Sequence, residues 1–330
     1  MSGEKIGLAP DQARCARSGA RYVSGGFRKA PSPPWLRHGG FNPKSSPSAR
    51  NTIVIHVSLA VLASLVPPGC RAPHAAGETA IVPLERAHAH NDYHHDRPLL
   101  DALDHGFSSV EADVFLVDGD LLVGHGRSEL RPERTLRRLY LDPLRERVRQ
   151  GGGRVHPGGP GFTLLVDIKD DGVATYEALH EALSEYRDML TTVERGERRA
   201  GAVTVVVSGN RAWERIAADS PRFVGVDGRL SDLSSDRPAH LMPLVSDHWG
   251  RNFGWRGEGP MPEAEREKLR RVVRTAHDAG RRVRFWETPE SEALWRELVA
   301  AGVDLINTDD LPGLRAFLLS RKAARHSVPQ

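Results

Sequence analysis

The segment His88-Ala-His90-Asn91-Asp92-Tyr93 sets two imidazoles two residues apart, and Glu111-Ala-Asp113 sets two carboxylates at the same interval. A third imidazole closes Leu121-Leu-Val-Gly-His125, and Asp167-Ile-Lys169 ends the apolar run that begins at Phe162. In an extended chain, residues two apart share a face, so Glu111 and Asp113 point one way while Val110, Ala112 and Val114 point the other. Three carboxylates gathered at one place repel unless a cation neutralises them. Oxygen-only ligands select one hard divalent ion, with Mg²⁺ favoured and Ca²⁺ the alternative. Zinc fits less well, because no H-E-x-x-H spacing is present. The only cysteines, Cys15 and Cys70, lie away from these residues.

Two imidazoles across a carboxylate-held cation suit phosphodiester cleavage. One takes the proton of a nucleophilic hydroxyl or attacks phosphorus, and the other protonates the leaving alkoxide. The cation and a lysine stabilise charge on the non-bridging oxygens. Taken singly, a Glu-x-Asp pair or a strand-end histidine is an ordinary solvated or satisfied polar feature. Their conjunction with Asp167 and Lys169 is what marks a site. His94, His95 and His105 read as plain loop and helix-end residues.

Positioning these groups requires strands that end together. Strands are predicted over Ala80–Ala87, Ser109–Val117 with Leu121–Val123, Phe162–Ile168, Ala202–Ser208, Arg222–Val226, Met242–Ser246, Arg282–Trp286 and Val303–Asn307. Helical spacing is predicted over Pro98–His105, Thr135–Arg149, Thr175–Leu190, Ala212–Ala218, Pro262–Ala279, Ser291–Ala300 and Leu311–Leu319. One helix is missing from a perfect alternation, where Asp227–Ala239 is polar and turn-rich. Repeated βα units of this length indicate an α/β fold with one domain, a closed (β/α)₈ TIM barrel, whose active residues stand at the C-terminal strand ends. A doubly wound open sheet is the runner-up and would call for a glycine-rich nucleotide turn, which is absent.

The chain has 330 residues, 39% hydrophobic and 27% charged, which excludes a disordered chain, a coiled coil and a multi-span membrane protein. Residues 1–80 hold ten basic and three acidic residues, a net of +7, which leaves −4 for the rest of a chain whose total is +3. A mildly acidic body gives no case for nucleic-acid binding. Residues 1–51 read as a disordered basic leader, 52–79 as a signal-like apolar segment with its linker, and 80–330 as the barrel domain. The apolar run from Thr52 to Val66 is shorter than a membrane span and suits export, giving a secreted or envelope-associated protein. Cys70 after Gly69 admits a lipoprotein reading, which Pro67 and Pro68 fit poorly.

The wording His88-Ala-His-Asn-Asp-Tyr93, Ser109-Val-Glu-Ala-Asp-Val114, Leu139-Tyr-Leu-Asp-Pro143 and Asp304-Leu-Ile-Asn-Thr-Asp309 resembles the phospholipase-C-like phosphodiesterases, which include glycerophosphodiester phosphodiesterases and sphingomyelinase D enzymes. It looks most like their altered inheritance of mitochondria protein 6 branch, over about residues 81–320. The resemblance implies catalytic roles for His88 and His125 and metal ligation by Glu111, Asp113 and Asp167. Lys169 matches the lysine after the strand-three acid of sphingomyelinase D, and His88 with Asn91 matches its His-x-x-Asn spacing. Under that assignment His90 supports His88 or touches phosphate, and Asn91 and Lys169 face the substrate. Glycerophosphodiesterases carry His-Arg at strand one and His-Asp after strand two. This chain has His90-Asn91 and His125-Gly126, so the phosphate-binding arginine is missing at that position.

Later strand ends shape the pocket. Trp286 walls a headgroup or belongs to the core, and Asp247, His248 and Asn307 stand at comparable ends. Gly250–Met261, with Phe253 and Trp255 and with Trp249 just before it, reads either as a flexible aromatic loop making peripheral membrane contact or as a plain surface loop. The expected activity is metal-dependent hydrolysis of a glycerophosphodiester or phospholipid-like substrate, with a cyclic phosphate as intermediate where a substrate hydroxyl attacks. The competing class is a barrel that binds a phosphorylated ligand without turnover.

Overall fold

The computed structural model describes residues 81–326. The leader 1–51, the apolar segment 52–79 and Cys70 lie outside the described residues. The strands are β1 (Leu84–Ala89), β2 (Phe107–Val117), β3 (Asp120–Val123), β4 (Phe162–Ile168), β5 (Thr192–Glu194), β6 (Glu197–Arg199), β7 (Val203–Gly209), β8 (Val224–Gly228), β9 (Leu244–His248), β10 (Arg282–Trp286) and β11 (Leu305–Thr308). Eight of them, β1, β2, β4 and β7 to β11, pair in parallel, and β1 bonds both β11 and β2, so the sheet closes on itself. The predicted (β/α)₈ barrel is the fold.

Helices α1 (Leu100–Asp104), α2 (Asp142–Gln150), α3 (Gly172–Ser184), α4 (Trp213–Ala218), α5 (Trp249–Asn252), α6 (Glu263–Asp278), α7 (Glu292–Ala301) and α8 (Leu311–His326) fill the connections. Local chemistry sets their limits. Asp171 Oδ1 accepts from the Ala174 N–H at 2.8 Å to cap α3. Ser291 caps α7 in the same manner, and that helix stops at Gly302, whose φ of 90° suits glycine. Leu269, Val273 and Ala276 of α6 recur at helical spacing and are the residues it buries. The stretch after β8 forms only a short 3₁₀ turn, Leu230–Asp232, as its polar composition predicts.

Alternation along the strands divides the barrel into two layers. Val110, Ala112 and Val114 belong to the large core shared with the helices, whereas Leu165, Val206, Leu244 and Leu305 form a small separate cluster. Each of these four lies two residues before a polar strand-end residue, namely Asp167, Ser208, Ser246 and Asn307. They are the apolar layer of the barrel interior, one step beneath its polar layer.

Three expectations are corrected. The first strand begins at Leu84 and runs to Ala89, because Pro83 has no N–H for the ladder, and His88 therefore lies inside the strand. A hairpin of β5 and β6, turned by Arg195 and Gly196 at positive φ, interrupts the expected α3-to-β7 loop. The rings of the aromatic loop, Trp249, Phe253 and Trp255, are buried, as is Met261. Trp249 stacks on Phe253 and meets Phe285 edge-on, and its Nε1 donates to the Trp255 carbonyl at 2.8 Å. Those aromatics are packed into the core of the fold, so the stretch is not a loop with exposed rings.

Candidate active site

Glu111 and Asp113 share the inward face of β2, and in-register pairing sets Asp113 beside Asp167 of β4. One oxygen from each of Glu111, Asp113 and Asp167 falls within 4.8 Å of the others. Lys169 Nζ sits 3.0 Å from Asp113 Oδ2 and 3.3 Å from Asp167 Oδ1, and Arg284 Nη2 sits 2.8 Å from Glu111 Oε2. Burial raises the Asp167 carboxyl to about 6 against the pull of Lys169. It also raises Asp113, helped by the charge of Glu111. At Glu111 burial acts upward too, but Arg284 and His88 outweigh it and hold the group well below the usual carboxylate range.

These residues fit a divalent cation. Three carboxylates face two basic side chains, which leaves a negative centre, and the buried Asp113 Oδ1 has no hydrogen-bond partner. Room for the third carboxylate depends on Gly209, at a φ of +67°: a Cβ there would stand 2.2 Å from Asp167 Oδ1.

The three histidines occupy different positions. His88 is wholly buried, with Nδ1 2.7 Å from Ser109 Oγ and Nε2 3.4 Å from Glu111 Oε2. Burial and the Arg284 charge lower its pKa to about 3, so the ring is neutral and both nitrogens are engaged within the protein. His90 and His125 instead open into a cavity of about 220 Å³ at the C-terminal mouth. His90 Nδ1 lies 2.9 Å from Asp309 Oδ1, which leaves Nε2 free. Burial opposes its charging, but the Asp309 hydrogen bond and the Glu111 charge outweigh that effect and raise the pKa. His125 Nδ1 lies 3.3 Å from Asp113 Oδ2 and 3.2 Å from the Tyr93 hydroxyl. The resemblance implies catalysis by His88; the structure buries that ring beside Glu111, and His90 is the imidazole of the pair that lines the cavity.

Asn91 and Lys169 line the same cavity, as does Trp286, whose ring meets His248 edge-on at 4.6 Å. Asn91 adopts φ 44°, ψ 41°, a conformation asparagine tolerates, and turns the chain so that Tyr93 comes back to the site. The Tyr93 hydroxyl donates to Asp113 Oδ2 at 2.7 Å.

Four contributors lie outside the residues singled out from the sequence: Arg284, Arg229, Asp309 and Tyr93. Arg284 and Arg229 line the cavity and supply the guanidinium groups absent at strand one. Arg284 had a readable signal, since it stands two residues before Trp286 on an inward face. Arg229 had none: it leaves β8 and turns back to bond Asp227 Oδ2 at 2.8 Å.

Residues 78–153 and 157–227 match the profile described as the AIM6-like phosphodiesterase domain. Residues 282–312 match that of the glycerophosphoryl diester phosphodiesterase family. The chain is 32% identical over 271 residues to the altered inheritance of mitochondria protein 6 homolog of Arthroderma benhamiae, covering 72% of this chain and 84% of that protein. The chain belongs to the altered inheritance of mitochondria protein 6 family. The family member of Eremothecium gossypii is also 32% identical, over 71% of this chain and 69% of its own. Among solved structures, a calcium-dependent phosphoinositol-specific phospholipase C from Pseudomonas sp superposes with a TM-score of 0.47 at 12% identity, over 68% of this chain and 88% of that one. A glycerophosphodiester phosphodiesterase from Parabacteroides distasonis gives 0.45 at 16% identity, over 72% and 98%. The family membership is the one the strand-end motifs implied, and at family level it makes the chain a phosphodiesterase-type barrel.

Proposed function

We propose that this protein cleaves a phosphodiester with the help of a divalent cation, using His90 and His125 as the acid–base pair. The observation that carries this reading is the grouping of three carboxylate oxygens within 4.8 Å of one another beside a cavity that both imidazoles line. A cation held by Glu111, Asp113 and Asp167 would supply Lewis-acid stabilisation of the non-bridging phosphate oxygens. His90 Nε2 takes the proton of the attacking hydroxyl as its oxygen bonds to phosphorus, and His125 returns a proton to the oxygen that departs. Asp309 fixes the His90 tautomer by accepting from Nδ1. Arg284, Arg229 and Lys169 bind the phosphate oxygens, replacing an arginine at position 91. His88 orients Glu111.

The cavity volume of about 220 Å³ suits a phosphate with a compact headgroup, with Trp286 as one wall. When the nucleophile is a neighbouring hydroxyl of the substrate, the first product is a cyclic phosphate; when it is water, the product is the phosphomonoester.

The test is turnover by the full chain on a panel of glycerophosphodiesters, lysophospholipids, sphingomyelin and phosphatidylinositol, with EDTA and with Mg²⁺ or Ca²⁺ restored. Turnover that EDTA abolishes and one ion restores supports the reading and names both ion and substrate class. Solvent oxygen in the earliest product would count against the cyclic route. Metal binding with no turnover on any substrate would favour the non-catalytic barrel.

A further inference from the structure

The mouth opposite the candidate active site holds a second cavity, of about 450 Å³, among the N-terminal ends of the strands. Three guanidinium side chains line it: Arg198 on β6, Arg222 just before β8, and Arg282 at the start of β10. The hydroxyl-bearing Thr163, Thr191 and Thr204 line it as well.

Among the described residues neither inner arginine forms an ion pair. Arg282 makes one side-chain hydrogen bond, from Nη2 to Thr163 Oγ1 at 2.9 Å. Asp304 and Glu85 favour its charge only from beyond ion-pair distance, and Arg198 opposes it. Arg222 is 4% exposed; its Nε donates to the Val224 carbonyl at 3.1 Å, and its Nη2 lies 2.7 Å from His240 Nδ1 and 3.1 Å from the His240 carbonyl. Asp219 favours the Arg222 charge only from a distance, without an ion pair among the described residues.

Arginine cannot shed its proton to escape such a setting, and a buried cation without a partner is costly. Arg284 is matched by Glu111 and Arg229 by Asp227, and the buried Arg281 spends its guanidinium on the Asp232, Leu233, Ser235 and Arg237 carbonyls. The N-terminal mouth of such a barrel ordinarily serves stability, which apolar side chains at 222 and 282 would serve better. Donors converging on a solvent cavity whose wall carboxylate, Glu85, forms an ion pair with none of them among the described residues point to an anion from outside. Guanidinium forks beside hydroxyls match phosphate oxygens, and the space exceeds what a lone phosphate fills.

We propose that the N-terminal cavity is a second ligand site, one that recognises a phosphate group on Arg282, Arg222 and Arg198. Glu85, also on its wall, is the acceptor for a hydroxyl of the molecule that carries the phosphate. The site is independent of the proposed catalytic function.

Calorimetric titration of the full chain with glycerol 3-phosphate and with inorganic phosphate, at physiological salt, tests this. Wild type is expected to show two sites. Arg282→Met should weaken one by about tenfold or more and leave the other, while Arg229→Met, at the opposite mouth, should do the reverse. Arg198→Ser, on the exposed hairpin, leaves the fold undisturbed and should weaken the same site as Arg282→Met. Tighter binding of glycerol 3-phosphate supports an organic ligand, and equal binding supports free phosphate as the occupant. A single site lost in Arg229→Met and unchanged in Arg198→Ser and Arg282→Met would overturn the proposal. So would a lower Tm of Arg282→Met in phosphate-free buffer together with unchanged affinity in Arg198→Ser, since the arginines would then be a structural layer.

Discussion

His90 and Asp309, 219 positions apart in the chain, are joined by a 2.9 Å contact between Nδ1 and Oδ1. Closure of the barrel creates it, by setting the end of β11 beside the end of β1. With the proton on Nδ1 facing that carboxylate, a neutral ring turns the lone pair of Nε2 to the cavity, as the proposed base requires.

Asp309→Asn removes the anion that holds the His90 pKa up. A base acts when deprotonated, so the acid limb of the kcat/KM profile should move to lower pH in this variant. The rate at its plateau should also fall, and His90→Ala should lose about 10²–10⁴-fold. A pH profile unchanged by Asp309→Asn would show that His90 is not the base.

Gly209→Ala forces a side chain to a φ of +67° and a Cβ to within 2.2 Å of Asp167 Oδ1. The expected cost is about 1–3 kcal/mol of stability, with weakened cation binding because Asp167 must move. Thermal unfolding with and without Mg²⁺ or Ca²⁺ checks both; an unaltered Tm would contradict the packing.

Asp167→Asn removes one of three crowded carboxylates. Metal-free protein should unfold at the same or a higher temperature, because burial and the neighbouring acids already disfavour the charge. The rise in Tm on adding the cation should largely disappear. Retention of the full rise would remove Asp167 from the ligand set.

Asp92 is fully buried, and burial lifts its pKa from 3.8 to about 7 against hydrogen bonds from the Leu99 N–H and the Tyr140 hydroxyl. The folded protein therefore holds this proton more tightly than the unfolded chain does. Its contribution is fully present below pH about 4 and is lost as pH rises through about 7, by up to about 4 kcal/mol. Asp92→Asn keeps the hydrogen bonds without the charge and should raise Tm more at pH about 8 than at pH about 5. Equal effects at both values would refute a buried ionising Asp92.

Much of this protein was legible in its residues, because the signals concerned are local. Alternation placed Glu111 and Asp113 on one face of β2, and βα repetition dictated a closed barrel whose strand ends carry His90, Asp167 and Trp286. The register of an isolated strand is not local. Whether His88 or His90 meets the cavity depends on where β1 begins its pairing with β2 and β11, and the answer, a strand from Leu84 to Ala89, buries His88. The partners of the acids were hidden for the same reason: Arg284 reaches Glu111 and Asp309 reaches His90 only across the closed ring. The apolar–polar pattern by itself determined the barrel and its inward acids, since period-two burial needs no distant information. Tertiary structure alone decided which imidazole is free, which arginine binds which acid and which aromatics are core, because each follows from the register and closure of strands far apart in the chain.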